Sequence, residues 1–238
     1  HAAIDAAQEN VDSARDEGER RTALLNEALI YVDHGATDEA LQAMQRSYEL
    51  AGAIGDTTNL SADGIVIADI QLAARRVDDA RDRYLTSHDL VAASSLPAAL
   101  KADNELARHY DIARVAIAEH DLHTARSEAA AYLSGASAKH NDARVRQARE
   151  LNGNIALEAR DYPVALTELA LADQDNPAAI YAIARAYAGE GFTVKAKELS
   201  ARAEHLNILP TLPYVFTRAA IAGATRLAIA DSVRGTPH

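Results

Sequence analysis

The chain of 238 residues has no cysteine and no tryptophan, one methionine, two phenylalanines and six prolines. Without cysteine there are no disulfides, no thiol nucleophile and no thiolate metal ligand, and the redox character of the compartment is left open. Runs of β-branched and aromatic residues, which strands favour, are scarce. No stretch reaches the roughly 18 to 20 apolar residues of a membrane span, so no transmembrane segment is expected. A cationic face is also missing: lysines and arginines are scattered among more numerous acids, giving a net charge of -11. Phosphate backbones require clustered cations, so nucleic acid is not an expected partner.

Alanine takes up the room the absent types leave, at roughly a quarter of all positions. It is the best helix former and costs no side-chain entropy on ordering, so an all-α protein with closely approaching helices is expected. The chain is also long enough to bury a substantial core. It opens "HAAIDAAQEN" without an initiator methionine. A removed signal peptide leaves such an end, and the expectation is a secreted, extracellular or periplasmic protein; a cytoplasmic location is the alternative. A solenoid domain cut from a larger protein or enzyme would open in the same way.

The alanines hide a repeat. "NGNIALEARDYPVALTELALADQDNP" (152–177) aligns with "IARAYAGEGFTVKAKELSARAEHLNILP" (183–210), with Gly153 over Ala184, Arg160 over Gly191, Ala165 over Ala196 and Ala172 over Ala203. The frame extends upstream through "EALIYVDHGATDEALQAM", "IADIQLAARRVDDARDRY" and "IARVAIAEHDLHTARSEA". Five copies result, each with a small residue (Ala28, Ala68, Ala113, Gly153, Ala184), a turn residue seven later (Gly35, Arg75, His120, Arg160, Gly191) and an alanine five beyond that. Spacings of about 31 to 45 residues are those of helix-hairpin solenoids. The small residue lets the second helix approach the first, while Met44, Tyr84 and Leu169 are expected to fill the space between hairpins. No hairpin can bury its own apolar face, so the copies must stack.

The frame resembles the tetratricopeptide repeat (TPR) family, most clearly in the fourth copy with Gly153, Tyr162, Ala165, Leu169, Ala172 and Pro177. The resemblance implies a right-handed superhelical solenoid of TPR-like helix hairpins with extra terminal helices. The expected divisions are an N-terminal helical arm (1–21), five hairpins (22–210) and a C-terminal apolar helix and tail (211–238). Breaks are expected at the glycine- and Asx-bearing stretches 51–64 and 132–142 and at "NILPTLP". The first three copies lack the closing proline and are over-long, so their helices or linkers must exceed the usual unit.

TPR proteins commonly receive peptides or partner helices on the concave face lined by the first helix of each hairpin. Carried over by register, that face holds Ile65 with Asp69, Tyr110 with Arg114, Glu150 with Asn154, and Tyr181 with Arg185. Tyrosine and arginine are over-represented at binding hot spots. The ends offer a second surface. Residues 1–20 carry only a thin apolar stripe including Ile4 and Val11, and the 214–233 stretch is apolar on most sides, with Tyr214, Phe216, Leu227 and Ile229. A solenoid that closes without a polar cap is expected to self-associate, so a homo-oligomer is expected, built head to tail as a ring or filament.

No catalytic constellation is present: there is no P-loop and no G-x-S-x-G elbow. His120 and His123 form an H-x-x-H among acids, but the repeat places His120 at the turn and His123 in the first turn of the next helix, so the two do not share a helix face. No metal, no cofactor and no enzymatic activity are expected. The function expected is protein–protein interaction by self-assembly through the termini, as a head-to-tail oligomer or extracellular filament subunit; the alternative is an adaptor holding a foreign peptide or partner protein in the groove.

Overall fold

The structure, a computed structural model, describes residues 2–206 and 212–234, the side chains of 212, 213 and 226–234 excepted. The described residues are all-α: twelve helices and no strand, stacked as a repeat solenoid. After α1 (Ala2–Asp12), ten helices pair consecutively as five hairpins. They are α2 (Glu17–Asp33) with α3 (Thr37–Ala53), α4 (Thr57–Ala73) with α5 (Val77–Ala93), α6 (Ala98–Ala118) with α7 (Leu122–Ala138), α8 (Asp142–Glu158) with α9 (Tyr162–Leu169), and α10 (Pro177–Gly189) with α11 (Thr193–Glu204). A last helix, α12 (Leu212–Arg234), packs against α2, α10 and α11.

Each hairpin turns the same way. Gly35, Arg75, His120, Arg160 and Gly191 all have positive φ, between 59° and 86°. The residue after each donates its N–H to a carbonyl five back, as in Asp121 N to Ala116 O at 2.9 Å and Phe192 N to Tyr187 O at 2.9 Å. That bond satisfies a carbonyl the helix end would otherwise strand. The next helix then starts at once. Asp121 and Asp161 cap α7 and α9 by accepting backbone N–H groups at His123, Thr124 and Val164, and Pro163 occupies the first turn of α9, where no intrahelical donor is lost. His34 and His205 sit at helix ends with Nδ1 2.8 and 3.0 Å from the carbonyls of Ile30 and Ala201.

Two expected breaks are much shorter than the sequence suggests. Only 54–56 separate α3 from α4, and only 139–141 separate α7 from α8. Gly64 and Gly135 lie inside helices, where they serve packing and not turning. A Cβ at Gly64 would stand 2.2 Å from Ser87 Oγ, and one at Gly135 would stand 2.6 Å from Leu106 Cδ1. Asn59 likewise belongs to the first turn of α4, its side chain donating to Asp56 at 2.6 Å. The third expected break, 207–213, falls at residues of which 207–211 lie outside the described ones.

The extra length of the early copies is in the helices: those of the first three hairpins run 17 residues or more, against 8 to 13 for α9 to α11. Met44, Tyr84 and Leu169 are fully buried and join successive hairpins. Met44 packs with Leu24, Ile67 and Ile70, Tyr84 with Ala68 and Val115, and Leu169 with Leu157 and Ala182. At roughly 25 cal/mol per Å² of apolar surface, side chains of this size each contribute about 2 kcal/mol, so the seams add to what the hairpins themselves bury.

Candidate interaction groove

Helices α6, α8 and α10 each bring a pair of residues one turn apart to one groove, and α4 brings Asp69. Asp69, Tyr110, Arg114, Glu150, Asn154, Tyr181 and Arg185 all line one cavity of about 470 Å³. A second cavity of about 470 Å³ shares Tyr110, Arg114, Glu150, Asn154 and Arg185 and reaches the hairpin turns at Gly35, Arg75 and His120. Ile65 instead packs into the apolar cluster around Tyr84.

Arg114 is the centre of the polar floor. Its Nη1 lies 2.6 Å from Asp69 Oδ1 and 3.1 Å from the Tyr84 hydroxyl, and its guanidinium is 5.5 Å from the centre of the Tyr110 ring. Tyr84 donates in turn to the same Asp69 oxygen at 2.5 Å. Burial pushes the Tyr110 and Tyr84 hydroxyls well above the ordinary tyrosine range, so both remain donors.

Behind Arg114 stands a buried pair. His88 Nε2 is 2.9 Å from Asp111 Oδ2, and Nδ1 is 2.8 Å from Asn104 Oδ1. The Asn104 amide nitrogen donates to the His88 carbonyl at 3.0 Å, which orients the amide so that its oxygen faces the ring. Nδ1 therefore donates to Asn104, and a proton is held between Nε2 and Asp111. Burial opposes charge on His88, but the bonds to Asp111 and Asn104 outweigh it and raise its pKa; Asp111 is raised by burial.

Glu150 is nine-tenths buried. Its Oε2 accepts from Asn176 Nδ2 at 2.8 Å, and burial pushes its carboxyl up to about 7, against the opposing pull of Arg114. Asn154 donates to the Glu150 carbonyl at 3.1 Å. Arg185 is exposed in the groove with no ion-pair partner among the described residues.

Helix α12 lies across this groove. Its Phe216 and Ala220 line both cavities. Val215 is buried in the cluster of the first hairpin with Leu24 and Leu29, and Ile221 is buried with Ile180 and Ala203 of the fifth. Tyr214 and Phe216 pack against the first-hairpin cluster, as does Val11 of α1, while Ile4 is half-buried. Leu227 and Ile229 lie outside the described side chains.

His120 pairs with Glu158 at 2.5 Å, 38 residues away, and His123 opens α7. Among the described residues no group of three or more metal-ligating side chains comes together, and no helix is long and apolar enough to cross a membrane. Sequence reasoning missed His88, Asn104, Asp111 and Asn176. His88 reads as one of several dispersed histidines, and its partners lie 16 and 23 residues on, at no motif spacing.

These features define an all-α helical-repeat protein with a groove of mixed polar and apolar lining, crossed by its own last helix. Its fold is similar to that in the "Crystal structure of BtubC (BKLC) from P. vanneervenii", with a TM-score of 0.61 over 93% of this chain and 92% of that one, at 18% sequence identity. At that identity the likeness is one of fold. No protein-family model matches the sequence, and no curated protein does.

Proposed function

We propose that the chain is a non-catalytic, TPR-like interaction protein that receives a segment of another protein in its concave groove. One observation carries the reading: side chains from the first helices of four successive hairpins converge on a single groove, and a helix already lies across it. Half-buried tyrosines beside arginine, set in a partly desolvated cleft, are the composition of a binding hot spot.

Selection of a displayed peptide library on the purified chain tests this. Enriched peptides are expected to lose tenfold or more in affinity on Arg185→Ala or Asn154→Ala and to be indifferent to Lys195→Ala on α11. Peptides whose binding ignores the groove substitutions would overturn it.

Self-assembly through the termini is a second reading, favoured by the contacts of α12 with both the first and the fifth hairpin. A helix that joins the two ends within one chain could join the fifth hairpin of one copy to the first of the next, a heterologous contact. Sedimentation that shows a single monomeric species across a hundredfold concentration range would remove this reading and leave the first intact.

A further inference from the structure

The polar floor of the groove and the helix above it do not match. Glu150 gives Oε2 to Asn176, and no hydrogen bond from a described residue reaches Oε1. Asn154 lines the same cavity and uses its nitrogen on a backbone carbonyl, while no hydrogen bond from a described residue reaches its side-chain oxygen. Arg185 brings donors without an ion-pair partner among the described residues. Over these groups α12 presents mostly hydrocarbon: Phe216, Ala219 and Ala220 line the cavities, and Thr217 beside them is buried and already engaged. The anchors of α12 face elsewhere, through Val215 and Ile221. Between helix and floor the two cavities remain.

The charges on the floor nearly cancel. Asp69 is matched by Arg114 at 2.6 Å, and Glu150 faces Arg185 and Arg114 across the same cavity. A cationic group entering would meet two guanidiniums, and an anionic one would meet Glu150 and Asp69. A neutral group that both donates and accepts answers all three unmet sites, and a carboxamide does this with one N–H₂ and one C=O.

We infer that α12 is a stand-in for a partner segment that carries a glutamine or asparagine at the position of Ala220, beside a bulky apolar residue at the position of Ala219. The carboxamide N–H₂ donates to Glu150 Oε1 and Asn154 Oδ1, its oxygen accepts from Arg185, and the apolar side chain fills the cavity toward Ile117. The inference rests on the groove reading above, and it names the partner's chemistry.

The test uses labelled peptides of residues 212–225 and the full chain carrying Val215→Asp, which frees α12 from the first hairpin. Four peptides are compared: the parental sequence, and Ala219→Leu combined with Ala220→Gln, Ala220→Glu or Ala220→Lys. The Gln peptide is expected to bind at least tenfold tighter than the parental one and tighter than the Glu and Lys peptides, with the gain lost on Arg185→Ala. A Glu or Lys peptide that binds as tightly as the Gln peptide overturns the inference while the groove reading stands; no binding of any peptide overturns both. Should Val215→Asp fail to fold, the same pair is placed within the intact chain. Ala219→Leu with Ala220→Gln is then expected to raise the melting temperature by several degrees, and Arg185→Ala is expected to erase the gain. A melting temperature that does not rise, or a gain that survives Arg185→Ala, overturns it.

Discussion

Arg114 on α6 and Asp69 on α4 meet at 2.6 Å across 45 residues of chain, on the wall that the second and third hairpins share. Their side chains are 28% and 13% exposed, so neither charge is well solvated. Arg114→Met leaves Asp69 with only the Tyr84 hydroxyl and removes one partner of Asp111. A loss of about 1.5–3 kcal/mol in unfolding free energy is expected from urea titration. Asp69→Asn with Arg114→Met should cost less than the sum of the single changes; additivity would mean the pair is not coupled.

Glu150 sets a pH dependence with a definite sign. In the unfolded chain its carboxyl titrates near the ordinary 4.5, while burial holds it at about 7 in the fold. Between those values the folded state holds the extra proton, so this group's contribution to stability falls as pH rises from 4.5 and has been lost in full above 7. Glu150→Gln keeps the side chain neutral. The variant is expected to gain on the parent as pH rises, by about 3 kcal/mol at pH 8. A stability difference that stays flat from pH 4 to pH 8 would contradict the burial assigned to this carboxyl.

The left-handed turns carry strain where the residue is not glycine. Arg75 and Arg160 stand at φ 62° and 59°. Changing either to glycine relieves the Cβ penalty but adds freedom to the unfolded chain, so a net stabilisation of about 0.5–1 kcal/mol is expected. The reverse change, Gly191→Val at φ 86°, is expected to destabilise. Thermal melts of the three variants decide it.

Gly153 separates packing from turning. A Cβ there would lie 2.4 Å from Cγ of the fully buried Leu169. Gly153→Ala is expected to cost about 1–3 kcal/mol. Part of that cost should vanish in the background of Leu169→Ala, where the obstructing atoms are gone. Melting curves for the two single variants and the double variant test the prediction, and equal costs in both backgrounds would refute it.

The five hairpins were legible because two constraints recur at fixed offset: a small residue where helices touch, and a residue seven later that must enter the left-handed region. Arginine and histidine at that second position are recognisable only through the frame they share with Gly35 and Gly191. The glycines misled at 51–64 and 132–142, since a glycine permits close helix approach as readily as a turn, and only the neighbour it faces, Ser87 or Leu106, tells the two apart. Of the residues paired by register, all but Ile65 line one cavity. The network behind them was hidden, because His88 reaches Asn104 and Asp111 through the stacking of hairpins, which no local spacing encodes.

A row of hairpins that each touch only their neighbours unravels from its ends, and its stability is a sum of local terms. Here the first and fifth units share α12 through Val215 and Ile221. The row becomes a closed circuit of contacts: neither the first nor the fifth hairpin can detach without breaking the packing of α12. Loosening α12 opens both ends at once, so the same helix that covers the groove sets how cooperatively the whole chain melts.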